Sequence, residues 1–302
     1  MEADNLFSVR NLLYAGEFES CIEEAAALKA PTVRESIDRD VLQFRAMILQ
    51  GRADKVAGAI VDADASTDLR AVKLLALFTA QPAARAKVLE MLAQWLSDET
   101  GRDNATLQLM AGLIYYQSGD VKEALKALRS PRNLEQGALR VQILLGLGRL
   151  DLASAELRAM QSVDDDSILT QLAHAWCNCY GAGPKQQEAG YIFQEQASKT
   201  VSTPLLLNAM AASHMQLGRF DEADKYLVDA LAKTPNDPDV LVNAISCLAN
   251  LPGKGAKRDE LLATLRKVAP AHPIVKQVNA CEATFDQIAQ QAVKAYGGQV
   301  PA

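Results

Sequence analysis

The sequence calls for an all-α fold, built from helical hairpins stacked one on the next. Its side chains keep helical rhythm over most of its length: Leu207, Met210, Ala211 and His214, for example, fall on one stripe at the three-and-four spacing of a helix face. Seven glycines in turn-like contexts, Gly16, Gly51, Gly119, Gly148, Gly183, Gly218 and Gly253, stand 35, 68, 29, 35, 35 and 35 residues apart, and 68 is twice 34. The composition is 49% hydrophobic but only 5% aromatic. A core of alanine and leucine suits close helix packing better than a β-sandwich.

The stretch 204–238, PLLLNAMAASHMQLGRFDEADKYLVDALAKTPNDP, shows the repeating unit best. A first helix ends at Gly218, which takes the left-handed C-cap without a Cβ clash. Asp221 then favours the start of a second helix, whose inner face carries Phe220, Ala223, Leu227, Ala230 and Leu231 until Pro235 and Pro238 forbid continuation. Ala211, Ala223 and Ala230 let two backbones approach closely. A glycine before an aromatic, alanines seven apart and a closing proline match the tetratricopeptide pattern at its small positions, although its tryptophan is absent and His214 stands where a tyrosine is usual. One hairpin cannot bury its own apolar face, so neighbours are required. The prediction is a tetratricopeptide-like α-solenoid of about eight hairpins in a right-handed superhelix. It forms a single domain over 1–296, with a disordered tail over 297–302.

Residues 4–29 form the first hairpin, with Leu6, Val9, Leu12 and Leu13 on its opening helix and Cys21 at the small position five after Gly16. Residues 37–61 form the second, after a polar, proline-bearing linker, KAPTVRESIDRD. The third spans 67–97 and turns at Gln81-Pro82, where proline replaces the missing glycine. SDETGRDN is a loop. Residues 105–129, 134–160, 168–198 and 204–234 are the fourth to seventh, with small residues Ala124, Ala153 and Ala223 five after their turn glycines and looser matches at Val56 and Ala189. The three aspartates of MQSVDDDSI read as a solvated loop, with Asp166 or Ser167 capping the next helix. An eighth hairpin starts at Asp239, loops through PGKGAKRD and resumes at Glu260–Val268; a last helix covers 274–296.

Net charge is -6. The acidic surface lacks the clustered Lys and Arg that phosphate neutralisation needs, which argues against nucleic acid and against direct binding to an anionic membrane. No apolar run approaches membrane-spanning length, and the amino terminus has no secretory signal. Five scattered cysteines fit a reducing compartment rather than a disulfide framework. His174 and Cys177 are the only ligand-spaced pair, short of the four ligands of a structural zinc. No phosphate loop, nucleophile elbow or metalloprotease motif is present, so neither enzyme activity nor a cofactor is expected.

Solenoids work through their inner wall, supplied by the first helix of each pair. Counting from the turn glycines, that wall takes Leu6, Arg10 and Leu13; Val41, Arg45 and Ile48; Leu109, Leu113 and Tyr116; Gln142 and Leu145; Tyr180; and Leu205, Asn208 and Met215. Most are apolar, which points to a groove for an extended or hairpin-like segment of another protein. Arg10 and Arg45 occupy equivalent positions and would meet an acidic group on that segment. Alternatively, some of these side chains pack between helices. A different use of the same wall is an adaptor or co-chaperone that binds exchangeable peptide segments.

The chain resembles the coatomer epsilon-subunit family, which belongs to the coat of COPI vesicles. The resemblance is most specific in RVQILLGLGRLDLASAELRAMQSVDDDSILTQLAHAW (140–176), YIFQE (191–195) and PLLLNAMAASHMQLGRFDEAD (204–224), and is weakest over 62–104 and around PGKGAKRD. It implies a non-enzymatic, cytosolic coat subunit in a heteromeric complex with the alpha subunit and five others. Such a subunit associates with the carboxy-terminal domain of the alpha subunit and curls round a protruding segment of it. It reaches Golgi and vesicle membranes only through the coat, and supports Golgi-to-endoplasmic-reticulum retrieval and intra-Golgi transport.

Overall fold

A computed structural model describes residues 4–62, 65–98, 101 and 103–295. Among them there are seventeen α-helices, one short 3-10 turn and no strand. The helices pair as α1 (Phe7–Ala15) with α2 (Phe18–Ala27), α3 (Val33–Leu49) with α4 (Ala53–Ala59), α5 (Thr67–Ala80) with α6 (Arg85–Ser97), and α7 (Ala105–Ser118) with α8 (Val121–Ala127). Then come α9 (Leu134–Gly146) with α10 (Leu150–Val163), α11 (Ile168–Cys179) with α12 (Pro184–Lys199), α13 (Pro204–Gln216) with α14 (Phe220–Lys233), and α15 (Pro238–Leu248) with α16 (Gly255–Val268). The last helix is α17 (Pro273–Ala295). The expected tail over 297–302 lies outside the described residues.

Gly16, Gly51, Gly119, Gly148, Gly183, Gly218 and Gly253 all adopt φ between 62° and 87°, and no non-glycine residue has positive φ among the described residues. At Gly119 the amide bonds back to the carbonyl of Tyr116 while Asp120 N reaches that of Tyr115, a helix stop that a Cβ would strain. The third hairpin turns without glycine: a 3-10 turn over Pro82–Ala84 feeds α6.

Three local readings are corrected. Helix α3 begins at Val33, inside the expected linker. Thr32 accepts a hydrogen bond from the Glu35 amide and Glu35 accepts one back from the Thr32 amide, a capping box that starts a helix before its apolar face begins. Helix α16 begins at Gly255 rather than near Glu260, so five of the eight residues of PGKGAKRD are helical. Ahead of α11, neither Asp166 nor Ser167 caps with its side chain; Asp164 Oδ1 accepts from both of their amides.

The chain separates into two compact units, residues 1–206 and 207–302. In the first, each opening helix lies on the next, α1 on α3, α3 on α5, and so on to α11, while the second helices up to α10 also meet the following opening helix. The small positions sit where backbones approach: Cys21, Val56, Ala124, Ala153 and Ala189 are fully buried. Gly112 on α7 goes further, since a Cβ there would stand 2.8 Å from Leu128 Cδ1. Buried Asp68 ties three hairpins together, taking bonds from Arg34 Nη2 at 3.2 Å and Asn104 Nδ2 at 3.2 Å.

In the second unit, α14 packs on α15 and α15 on α16. Ala223 and Leu227 are buried on α14, and the His214 ring lies 5.4 Å from that of Tyr226. Ala223→Leu is expected to overpack this contact and lower stability by about 1–3 kcal/mol, read as a fall in the urea midpoint. An unchanged midpoint would show that Ala223 does not sit at a helix crossing.

Candidate partner-binding surface

Side chains on the opening helices divide by how far each stands from the helix contacts. Leu6 and Leu13 are buried with Val9, Cys21 and Leu42. Val41, Ile48 and Leu109 are buried in the core of hairpins two to four, and Leu145 in that of hairpins five and six. These six serve the stack. Among the named wall residues of the first unit, Tyr116, Tyr180 and Leu205 remain exposed, at 38%, 54% and 53%, and Leu113 and Gln142 are at least partly accessible. In the second unit Met215 is half-buried and Asn208 Oδ1 accepts from Asn243 Nδ2 at 2.9 Å.

Tyr116 and Tyr180 stand three residues before their turn glycines, at the C-terminal ends of α7 and α11. At that point the chain is turning away from its neighbours, so the rings reach solvent instead of the core. Tyr116 is seated by a small neighbour, because a Cβ on Gly146 would lie 3.1 Å from its hydroxyl oxygen. Exposed tyrosines are rigid, amphipathic groups, the kind that anchors protein interfaces.

The two arginines have partners inside the chain. Arg10 pairs with Asp4 at the start of α1. Arg45 Nη1 donates to Glu135 Oε1 at 2.8 Å, linking α3 to α9 across ninety residues, with side chains 14% and 18% exposed. Tyr14 lies beside them: burial first, then the Glu135 charge, hold its phenol well above the usual range. Tyr14 also packs against the cluster of Ala138, Val141, Leu145 and Trp176.

The same end of α1 meets the connector after α12. Thr203 Oγ1 donates to the Ala15 carbonyl at 2.7 Å, and Val201 N donates to Glu17 Oε1 at 3.0 Å. Helix α1 touches α11. Residues 1–206 therefore close on themselves, with hairpin one against hairpin six and hairpin two against hairpin five. Tyr14, Glu17, Glu135 and Thr203 were not singled out from the sequence. Nothing local marks them, since their partners lie 90 to 188 residues away.

Other chemistry is sparse. Burial pushes the thiols of Cys21, Cys177 and Cys247 up to about 11. Among the described residues no three His, Cys, Asp or Glu side chains gather as metal ligands, and no helix is long and apolar enough to cross a membrane. 

A family model described as the coatomer epsilon subunit matches residues 2–293. The chain is 37% identical over 287 residues to coatomer subunit epsilon-2 of Arabidopsis thaliana, covering 95% of this chain and 96% of that one. It is 39% identical over 289 residues to coatomer subunit epsilon-1 of Oryza sativa subsp. japonica, covering 95% and 98%. Among solved structures, a tetratricopeptide repeat protein from Parabacteroides merdae superposes with a TM-score of 0.58 at 15% identity, over 80% of this chain and 97% of that one. That likeness is one of fold alone.

Proposed function

The chain belongs to the coatomer epsilon subunit family, and from that premise we propose that it is the coat subunit that grips the carboxy-terminal domain of the coatomer alpha subunit. Membership makes it a subunit of the COPI coat and a component of a heteromeric complex. Its work there is structural: it stabilises alpha within the coat without turning over a substrate. It acts in the cytosol, reaches Golgi and vesicle membranes only through the coat, and supports retrograde Golgi-to-endoplasmic-reticulum and intra-Golgi transport.

The observation that carries this reading is the family match over nearly the whole chain. The surface described above agrees with it in kind. Tyr116, Tyr180 and Leu205 offer exposed apolar anchors, as suits a constant protein partner better than a terminal carboxylate.

Mixing the purified chain with the alpha carboxy-terminal domain is expected to yield a stoichiometric complex that survives gel filtration. Tyr116→Ala combined with Tyr180→Ala is expected to weaken it about 30-fold or more, roughly 2 kcal/mol, the scale of an interface hot spot. Titration calorimetry measures the change. No complex with alpha, together with salt-sensitive micromolar binding of unrelated peptides, would make the protein an exchangeable-peptide adaptor instead. Undiminished affinity in the double variant would move the contact away from these tyrosines.

A further inference from the structure

We propose that the first unit is a gated ring, whose seam between hairpins one and two and hairpins five and six opens to admit a partner segment and closes behind it. The gating half of this inference rests on the reading that such a segment is held inside; the opening of the seam does not.

In a solenoid each repeat contacts its neighbours, and the chain itself imposes nothing beyond that. Contact between hairpins one and six is therefore an added interaction, and it can be lost without disturbing any hairpin. The chain joins the two sides of the seam only through α5 to α8, on the far side of the ring.

The seam is narrow and mostly polar. Among the described residues it includes the Arg45–Glu135 pair, Thr203 on the Ala15 carbonyl, and the Val201 amide on Glu17, with buried Tyr14 beside the Glu135 charge. Tyr14 and the approach of Leu205 to Gly16 supply its apolar part. Interfaces of that character within one chain are the ones that move. The seam also stands in the way: Arg45 and Glu135 meet across the inner wall at 2.8 Å. A polypeptide cannot pass between α3 and α9 until that pair separates.

A disulfide across the seam tests both halves. A Cβ built on Gly16 lies 3.2 Å from Leu205 Cβ, close to the roughly 3.5–4.5 Å found between bridged cysteines. The variant is Gly16→Cys with Leu205→Cys, in a Cys281→Ser background because Cys281 is exposed. Gly16 has φ +87°, so Ala15→Cys with Thr203→Cys serves as a second staple if the first fails to fold. Each variant is compared with itself, oxidised against reduced, which cancels any direct effect of losing Leu205.

In the free chain, oxidation is expected to suppress hydrogen exchange in peptides containing Val201, and dithiothreitol to restore it. Association with the alpha carboxy-terminal domain is expected to slow at least 100-fold on oxidation and to recover on reduction. Equal exchange in the two forms would overturn the opening. Suppressed exchange with undiminished association would overturn the gating and show that the segment enters a ring that stays shut. If the unmodified chain fails to bind the domain at all, the proposed partner falls, while the exchange measurement still decides whether the seam opens.

Discussion

Arg45→Met is expected to open the ring of the first unit while leaving its helix content intact. The substitution keeps the aliphatic bulk of the side chain but leaves Glu135 facing Tyr14 without a cation. Both members of the pair are more than four-fifths covered. Removing one partner of a buried pair costs about 3–5 kcal/mol, because the remaining charge is desolvated and unmatched. Unfolding would relieve that penalty, but so does separation of α3 from α9, which returns Glu135 to water and keeps every hairpin formed. The second route breaks only the seam bonds, so it wins. Circular dichroism should be unchanged, small-angle scattering should report a larger radius, and peptides around Val201 should exchange faster.

Arg45→Met with Glu135→Leu should close again, since two apolar groups of similar volume leave no orphan charge. A single variant as compact as the native chain would mean that water already screens the pair.

Phe193→Ala is expected to lower global stability by about 3–5 kcal/mol. Phe193 is 2% exposed and heads the fully buried side chains by volume. On α12 the buried residues Ala189, Ile192, Phe193, Gln196 and Ala197 form one stripe at three-and-four spacing, while Tyr191 on another face is 61% exposed. Ala189 and Ala197 on that stripe are too short to fill the space, and Ile192 and Gln196 are already buried in their own places. Urea denaturation of the full chain measures the loss. A cost below about 1 kcal/mol would mean that the hairpin collapses onto the void, since the penalty of such a change scales with the cavity left behind.

Much of the architecture was legible in the residues. The seven glycines picked for their contexts are the seven with positive φ among the described residues, because a hairpin must reverse within two or three residues and only glycine does so there without strain. The small residues five positions later are buried for an equally local reason: a helix crossing at close range excludes a long side chain. The misreadings have local causes too. The start of α3 was hidden because its first turn is polar and is held by the Thr32–Glu35 capping box instead of by an apolar stripe. The start of α16 was hidden by two glycines and a run of charge in PGKGAKRD.

The wall residues show where such reading ends. Register placed Leu6, Leu13, Val41, Ile48, Leu109 and Leu145 beside Tyr116, Tyr180 and Leu205 in one list, yet six are buried in the stack and three are exposed. Periodicity identifies the apolar side of a helix but does not say whether the neighbouring pair covers it.

By itself the sequence determined the helices, their turns, the crossings between adjacent pairs and the family. All of these depend on residues within about one repeat of each other, or on their order along the chain. Only the tertiary structure decided that Arg45 finds Glu135 and that Thr203 reaches Ala15. Those contacts depend on a small rotation at each repeat, summed over three to five repeat steps. No single residue encodes that sum, so neither the closure of the first unit nor the residues that seal it could be read from the chain one motif at a time.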